Sequence, residues 1–469
     1  MLNFLFIKSK FDRYSLAAVL LVSVFACTIF FGLGDRPLID YDEGIYSQVA
    51  VEADHSSFPL GFTWLGNLGL GRTIQWYEKP PLMIWLINGS YQLFGVNEFA
   101  ARLPVTIFAL LTFILVAWLA RKLSGYPWAG IFAAAALGIC YQYVHHAGVL
   151  QFDIAVGFFI TLAIGTFILS LENPKYWYGF WLSLALAVMT KSVVGLVPLI
   201  PLGLYWLISG QWQIFKQKQL YIGAFVFLLV TVPWHLAEWL KFGHEFWDQY
   251  LFYHLIARFK VGLENNLGDH YFYWNIIKEH RLLIYLAVPA LIYSLWNGLW
   301  QRKWLAWPIS IFAVLIFFSL AKTKLPAYIL PIYPLLSVMI GMAWAGAMEK
   351  FCASNWLKTI GGLAVVFVLL FFAIRFVNYD KQLNWRQYLI DSKEVGLYMR
   401  TLNDLPIYYY SRTGTRPSVI FYSNRIIYYL PYPSPKPAKQ FYLLSEVAPD
   451  FETAKPVYKT PSQTIYLVD

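Results

Sequence analysis

Residues 14–46 read YSLAAVLLVSVFACTIFFGLGDRPLIDYDEGIY and join a long apolar segment to the acidic run Asp40-Tyr41-Asp42-Glu43. About 20 apolar residues suffice to cross a bilayer as a helix. Charged side chains beside lipid are costly and are kept where something compensates them. The other prominent charges also fall at one end of apolar segments: Glu78, Lys79, Asp153, Lys191, Lys322 and Lys324. This pattern predicts a polytopic membrane protein with a site at one membrane face.

The composition supports this class. Of the 469 residues, 59% are hydrophobic and 13% are charged, whereas a soluble protein carries about 25% charged residues. The net charge is +10, but no dense run of Lys and Arg occurs, so nucleic acid is not expected as a partner. None of the three cysteines lies in a long polar segment. We therefore expect neither a disulfide nor thiol chemistry.

Hydropathy predicts about eleven membrane-spanning helices. They cover residues 14–34, 101–120, 127–146, 153–171, 177–191, 193–209, 219–237, 282–298, 304–321, 325–347 and 357–377. The first is interpreted as an anchor and not as a cleaved signal peptide. Basic residues in the short loops place the N-terminus in the cytoplasm. The odd number of spans then places the C-terminus outside, with the outer loops 35–100 and 238–281.

The chain divides into a membrane domain, 1–377, and an extracytoplasmic domain, 378–469. In the first outer loop, stretches 43–53 and 81–95 are too short to span and are predicted to be helices lying on the membrane surface. The second domain is predicted to be a small α+β unit with a helix near 385–402. Its strand-like runs are 407–410, 419–422, 426–430, 441–444 and 464–468.

Several motifs occur in the order typical of one enzyme family: Asp42-Glu43-Gly44-Ile45-Tyr46, Glu78-Lys79-Pro80-Pro81, Phe94-Gly95-Val96-Asn97-Glu98, Asp153, Thr190-Lys191 and residues 321–331, AKTKLPAYILP. From about 35 to 345 the chain resembles the bacterial aminoarabinose transferases of lipid A, relatives of the protein O-mannosyltransferases. The resemblance implies an all-α GT-C fold. It also implies an inverting transfer of sugar from a polyprenyl phosphate without a covalent enzyme intermediate.

The resemblance also implies roles for the acidic residues. Asp42 would lie beside the anomeric carbon, where it would accept the acceptor's proton or only position the substrates. Asp153 would be a second carboxylate of the active site, and Glu43 is grouped with them as catalytic. Both aspartates have structural alternatives, because Asp42 could cap a helix and Asp153 could compensate helix N-terminal charge.

Basic residues on the same face are suited to the donor phosphate, because fixed cations stabilise charge on a leaving phosphate. The predicted phosphate-binding residues are Lys79, Lys191, Arg258, Lys322, Lys324 and Tyr328. The alternatives are lysines that extend to lipid headgroups and an interfacial tyrosine. No cofactor is firmly required. The family resemblance allows Glu78 and His270 to share a divalent metal such as zinc, although their spacing has no self-contained ligand signature.

The sequence thus predicts a multi-pass glycosyltransferase of the bacterial inner membrane with its active site outside the cytoplasm. A lipid A or other glycolipid, a glycan and a protein all remain open as acceptors. The alternative is a flippase or transporter of lipid-linked sugars. Transporters usually hold ionisable residues near the bilayer midplane, whereas here they gather at the ends of the spans. A third interpretation is a binding protein that kept the fold without catalysis.

Overall fold

The computed structural model describes residues 13–53, 63–64, 66–67, 74–261, 267–352, 387–411, 416–431, 433–437 and 440–469, together with short pieces between 354 and 374. The chain is mostly helical, with a small sheet built largely from its C-terminal part. Among these residues, six helices are long and apolar enough to cross a membrane. They are Glu98–Ser124, Phe152–Ser170, Tyr176–Leu196, Lys218–Phe242, Lys303–Leu320 and Pro326–Phe351.

The helices are numbered in chain order. Helices α1 to α9 are Arg13–Phe30, Asp42–Val51, Leu82–Phe94, Glu98–Ser124, Ala129–Gly138, Tyr141–His146, Phe152–Ser170, Tyr176–Lys191 and Leu199–Ser209. Helices α10 to α18 are Lys218–Phe242, His244–Trp247, Arg258–Lys260, Phe272–Ile277, Arg281–Gly298, Ala306–Leu320, Ile332–Phe351, Gln387–Met399 and Pro417–Ser423. A π-helical segment, Asp248–Ala257, precedes α12. Helices α2 and α3 occupy the two stretches predicted to be short helices.

Several predicted spans are shorter or more broken than expected. The stretch 127–146 divides into α5 and α6 at Cys140, whose backbone is extended. Predicted spans 14–34 and 193–209 contain the helices α1 and α9, of 18 and 11 residues. Much of the stretch 357–377 lies outside the described residues. The structure therefore confirms a helical membrane-type bundle, and the count of eleven spans stays a prediction.

The bundle core is built by close packing of small residues. Helix α16 lies against α5, where a Cβ on Gly341 would come within 2.5 Å of the Ala129 carbonyl oxygen. Small residues let helix backbones approach in this way, which is how membrane helices associate without a hydrophobic driving force between them. Helices α7 and α16 are the most enclosed of the six long helices, since 89% of each apolar window is buried. These two helices therefore lie in the interior of the bundle.

The C-terminal part folds as a six-stranded sheet with two helices. The described residues contain eight strands, six of which form this sheet. They are β1 Thr63–Trp64, β2 Gly66–Asn67, β3 Ile74–Gln75, β4 Ile407–Ser411, β5 Ile427–Pro431, β6 Phe441–Ser445, β7 Ala454–Lys459 and β8 Thr464–Val468. The sheet order is β2-β5-β4-β6-β8-β7, with β2, β5, β4 and β6 parallel and β8 antiparallel to β6 and β7. Strands β1 and β3 pair separately.

Two features of this domain differ from the sequence predictions. Residues 419–422 are helical, as part of α18, and not a strand. Pro417 starts this helix, and all seven of its residues are buried between other elements, so the apolar run reflects full burial and not a pleated strand. Strand β2 belongs to the first outer loop but pairs with β5. The sheet therefore includes residues from both predicted domains.

Candidate active site

Asp42 begins helix α2 at the centre of a cluster of charged residues. Gln151 Nε2 lies 3.5 Å from its Oδ2 atom. Burial raises the pKa of Asp42 above its usual value of 3.8, and the charges of Lys191 and Lys79 oppose this shift. No side chain caps α2 at Tyr41. Lys191 and Lys79 therefore interact electrostatically with Asp42, and its role as a catalytic carboxylate stays a prediction.

Asp153 and Lys191 meet because their helices are antiparallel neighbours. Asp153 lies in the first turn of α7, and Lys191 is the last residue of α8. A short connection at 171–175 joins the other ends of these helices, so the start of α7 faces the end of α8. Lys191 Nζ lies 2.6 Å from Asp153 Oδ1 and 4.9 Å from the centre of the Tyr328 ring. These three predicted residues form one contact group.

Glu78 and Lys79 lie in the loop before α3. Lys79 Nζ is 3.7 Å from Glu78 Oε2 and donates a hydrogen bond to the Glu78 carbonyl oxygen at 3.4 Å. Burial lowers the pKa of Lys79 below 10.5, Glu78 opposes this shift, and the nearby charges of Arg258 and Lys191 add to it. Arg258 and Lys191 thus both lie close enough to Lys79 to repel its ammonium, and a bound anion would relieve this repulsion.

Arg258 comes from the second large outer loop, where α12 follows the π-helical segment. Its Nη1 lies 3.4 Å from the Tyr328 hydroxyl. The backbone amides of Lys322 and Thr323 donate to the carbonyl oxygens of Phe259 and Arg258, at 3.1 Å each. These bonds fix the loop to the segment preceding α16 and so bring Arg258 and Tyr328 together.

The two lysines of the Lys322-Thr323-Lys324 motif have different environments. Lys322 has an exposed side chain. Lys324 is buried, and its Nζ lies 2.5 Å from the Ser319 carbonyl oxygen and 2.8 Å from that of Ala321. It caps the C-terminal end of α15, where a cation is favourable. The geometry favours a structural role for Lys324 in place of the predicted phosphate contact.

Glu43 forms a buried ion pair with Arg102, a residue that the sequence analysis did not single out. Arg102 Nε and Nη2 each lie 2.8 Å from a carboxylate oxygen of Glu43. The backbone amides of Ile39 and Leu150 donate to the same carboxylate at 2.7 Å. Arg102 holds the pKa of Glu43 at about 2 against the effect of burial. These internal contacts occupy both oxygens and point to a structural role instead of the predicted catalytic one.

Arg102 extends this network to the loop that precedes the acidic motif. It donates to three backbone carbonyls, those of Leu33 at 3.0 Å, Arg36 at 2.9 Å and Pro37 at 2.9 Å. All the guanidinium nitrogens are therefore bonded, which offsets the cost of burying the charge. Because Glu43 follows Asp42 directly, this pair fixes the backbone from which Asp42 projects.

The structure gives little support for the predicted metal site at Glu78 and His270. His254 interacts electrostatically with Glu78, and burial lowers the pKa of His254 to about 4. His270 lies on an exposed turn. Within the described ranges, no group of three or more His, Cys, Asp and Glu residues is placed to hold a metal. The nearby cations Lys79 and Arg258 also fit a divalent ion poorly, so zinc binding by Glu78 and His270 stays a prediction.

Two residues of this site were missed in the sequence. Gln151 contacts Asp42, and Tyr46 lies one helical turn further along the same helix, stacked on Phe152 with ring centres 4.1 Å apart. The charges of Asp42, Glu78 and Asp153 all act on the Tyr46 hydroxyl. Asp42 and Tyr46 are spaced at i and i+4, which places them on one helix face. This spacing was the signal in the sequence that could have identified Tyr46 as a residue near Asp42.

Several known proteins are similar to this chain in sequence. A sequence model of the family described as dolichyl-phosphate-mannose-protein mannosyltransferase matches residues 78–236. An uncharacterised protein of Aquifex aeolicus is 30% identical over 266 residues, which are 56% of this chain and 60% of that protein. The undecaprenyl phosphate-alpha-4-amino-4-deoxy-L-arabinose arabinosyl transferase of Erwinia tasmaniensis is 26% identical over 385 residues, covering 77% of this chain and 66% of the relative.

Solved structures show the same fold over nearly the whole chain. The crystal structure of ArnT from Cupriavidus metallidurans bound to undecaprenyl phosphate superposes with a TM-score of 0.76 at 18% identity, covering 96% of this chain and 97% of that one. The resemblance to the aminoarabinose transferases is confirmed. The oligosaccharyltransferase of Archaeoglobus fulgidus shares the fold more distantly, with a TM-score of 0.63 at 12% identity over 90% of this chain and 64% of that one. The chain therefore has an ArnT-like GT-C fold. Its alignments span less than two thirds of the length of the curated relatives described above.

Proposed function

We propose that this protein is an integral membrane glycosyltransferase that moves a sugar from a polyprenyl phosphate to an acceptor outside the cytoplasm. One observation carries the proposal. Asp42 interacts electrostatically with Lys79 and Lys191, and Arg258 interacts with Lys79. A carboxylate next to several cations matches the requirements of a reaction in which an anomeric carbon is attacked while a phosphate leaves.

The reaction is a single displacement. The acceptor oxygen forms a bond to the anomeric carbon as the bond from that carbon to the phosphate oxygen breaks, and the phosphate leaves with the electron pair. Where the acceptor is a hydroxyl, its proton passes to Asp42. Where the acceptor is itself a phosphate, Asp42 positions the groups and stabilises positive charge on the ring. The configuration inverts, and no covalent enzyme intermediate forms.

Lys79, Lys191 and Arg258 bind the donor phosphate in this proposal. Fixed cations in a partly water-excluded site stabilise the negative charge of the leaving phosphate without having to reorganise. Tyr328 joins them, since it contacts both Lys191 and Arg258. Asp153 orients Lys191 through the 2.6 Å ion pair. Glu43 holds the backbone, and Lys322 and Lys324 lie outside the phosphate site.

The donor class is supported by the solved ArnT structure with undecaprenyl phosphate and by the named arabinosyl transferases. The sugar and the acceptor are not fixed by these relatives, so a glycolipid such as lipid A, a glycan and a protein remain candidates. The protein lies in the bacterial inner membrane with about eleven spans. Its N-terminus is cytoplasmic, and the active site and residues 378–469 are outside. An alkaline phosphatase fused after Asp469 should therefore be active in intact cells. An inactive fusion would contradict this orientation and indicate the opposite one.

The deciding experiment is native mass spectrometry of the full chain in detergent with undecaprenyl phosphate added. We expect one bound lipid, competed by undecaprenyl phosphate-α-4-amino-4-deoxy-L-arabinose. A Lys79→Gln/Lys191→Gln double variant should lose it, and a variant with two exposed lysines replaced, Lys455→Gln/Lys459→Gln, should retain it. Binding of bulk phospholipid alone would contradict the transferase and favour a transporter of another substrate.

A further inference from the structure

Tyr41, the residue between Asp40 and Asp42, has an unusual backbone. Its φ is 66° and its ψ is −108°, a combination that residues with a side chain rarely adopt. Its own side chain is 61% exposed and so is not enclosed by the fold. Strain of this kind persists only where the surrounding structure imposes it, and it concentrates at functional sites. The contacts that impose it should therefore lie on either side of Tyr41.

On one side, Asp40 is bound to the C-terminal domain. Its Oδ1 accepts hydrogen bonds from the Ser418 hydroxyl and from the Ser418 backbone amide, the latter at 3.2 Å. Arg416 Nη1 lies 3.4 Å from Oδ2. Arg416 is fixed in turn, because its Nε lies 2.9 Å from the Tyr409 hydroxyl and 2.8 Å from Glu446 Oε1. Asp40 thus belongs to the contact with α18 and not to the active site.

A second contact lies two residues earlier. The Tyr422 hydroxyl accepts a hydrogen bond from the backbone amide of Leu38 at 2.7 Å and donates one to Glu98 Oε1 at 2.9 Å. Glu98 also pairs with Lys393 at 2.5 Å. Tyr422 therefore connects the loop before α2 to the start of α4 through one buried hydroxyl.

Helix α18 also packs directly on α2. A Cβ added at Gly44 would come within 2.5 Å of the Ser418 backbone nitrogen. Gln48 Nε2 bonds Asn424 Oδ1 at 3.2 Å, one turn further along α2. The two helices therefore meet along most of their length, with no room for a side chain at the closest point.

We infer that α18 of the C-terminal domain is a positioning element for Asp42. Ser418 and Tyr422 hold the backbone at Asp40 and Leu38, and this contact keeps Tyr41 in its strained conformation, which directs Asp42 towards Lys79 and Lys191. The two residues do not touch the donor or the reacting atoms. Their effect on catalysis rests on the function proposed above, whereas their effect on the loop does not.

The test uses Ser418→Ala and Tyr422→Phe in the full chain, with Ser423→Ala as the matched control. Ser423 lies on the same helix, and its hydroxyl bonds the Ile420 carbonyl within α18. With undecaprenyl phosphate-α-4-amino-4-deoxy-L-arabinose as the donor probe, each test variant should lower kcat about ten-fold while KM for the donor stays within two-fold. Ser423→Ala should keep both values. Because a smaller folded fraction would also lower the apparent kcat at unchanged KM, each rate is normalised to the folded protein recovered from size-exclusion chromatography.

Glycine at position 41 supplies the sharper readout. Glycine adopts positive φ without steric cost, so Tyr41→Gly should restore most of the activity lost in Ser418→Ala. An unchanged kcat in Ser418→Ala and Tyr422→Phe would overturn the inference, and so would a Ser418→Ala/Tyr41→Gly variant that remains as slow as Ser418→Ala.

Hydrogen exchange separates this inference from the proposed function. Peptides covering 38–45 should exchange at least ten-fold faster in Ser418→Ala than in the unmodified chain, and Ser423→Ala should show no change. This measurement needs no donor. If the exchange differs but no polyprenyl-phosphate sugar is transferred by the unmodified chain, the positioning contact stands and the proposed function fails. If the exchange is equal, the positioning contact is overturned whatever the enzyme does.

Discussion

Lys191 Nζ lies 2.6 Å from Asp153 Oδ1, so the first turn of α7 and the last residue of α8 share one ion pair. Both side chains are mostly buried, at 12% and 7% exposure. The pair leaves Lys191 in position to reach Tyr328 and a phosphate while one of its hydrogen bonds is already made. In the proposed function, this ion pair would organise the cationic site before the donor binds, which is the arrangement that gives electrostatic stabilisation its strength.

Lys191→Gln should weaken the binding of undecaprenyl phosphate about ten-fold or more, because a hydrogen bond to a charged group contributes about 1.5–3 kcal/mol. Lys322→Gln is the matched control, since Lys322 comes from a neighbouring motif but is exposed. It should change the affinity by less than about two-fold. Titration of the detergent-solubilised protein with undecaprenyl phosphate measures both. A larger loss of affinity in Lys322→Gln than in Lys191→Gln would indicate that Lys322 binds the phosphate, as the sequence predicted.

Asp42→Asn should lower the rate of sugar transfer about 100-fold or more while undecaprenyl phosphate still binds, because a carboxylate that removes or orients a proton typically contributes a factor of 100–10,000. Asp450→Asn, at an exposed position of the C-terminal domain, should have no effect. The two assays are single-turnover transfer and lipid binding. Full activity of Asp42→Asn would remove this residue from the reaction.

Glu43→Gln should destabilise the fold, because it leaves the guanidinium of Arg102 buried without its anion. Breaking one side of a buried ion pair costs about 3–5 kcal/mol, and the side chains of Arg102 and Glu43 are 0% and 1% exposed. The Tm measured in detergent should therefore be lower for Glu43→Gln than for the control Glu394→Gln, which replaces a residue on the exposed surface of α17. An unchanged Tm combined with lost transfer would favour the catalytic role first predicted for Glu43.

The affinity for undecaprenyl phosphate should fall as the pH rises through the pKa of Lys79. Burial lowers the pKa of this ammonium below 10.5, so the free protein loses the charge at a lower pH than an exposed lysine does. Binding requires the protonated form, and the loss therefore appears on the alkaline side. Lys79→Arg should move the loss to higher pH, because a guanidinium stays protonated. Affinity that shows the same alkaline pH dependence in both proteins would exclude Lys79 from the phosphate site.

The sequence alone was sufficient for the class of protein, and it also singled out several residues that the structure places near one another. Charges at the ends of apolar segments predicted a membrane bundle, and the motifs containing Asp42, Lys79, Asp153, Lys191 and Tyr328 predicted residues that the structure brings together. This succeeded because lipid penalises every stray charge. An ionisable residue that remains beside an apolar span has a partner or a function, and its position is visible in the sequence.

Other assignments depended on tertiary structure. Glu43 and Lys324 resemble site residues in sequence, yet one binds Arg102 and the other caps α15. Residues 419–422 form a continuous apolar run, which fits a buried strand or a buried helix; they were predicted as a strand, and in the structure they form part of a buried helix. Nothing local connects Asp40 with Ser418, which lies 378 positions away. Which charges face the donor and which hold the scaffold depends on long-range contacts, and only the folded chain fixes those.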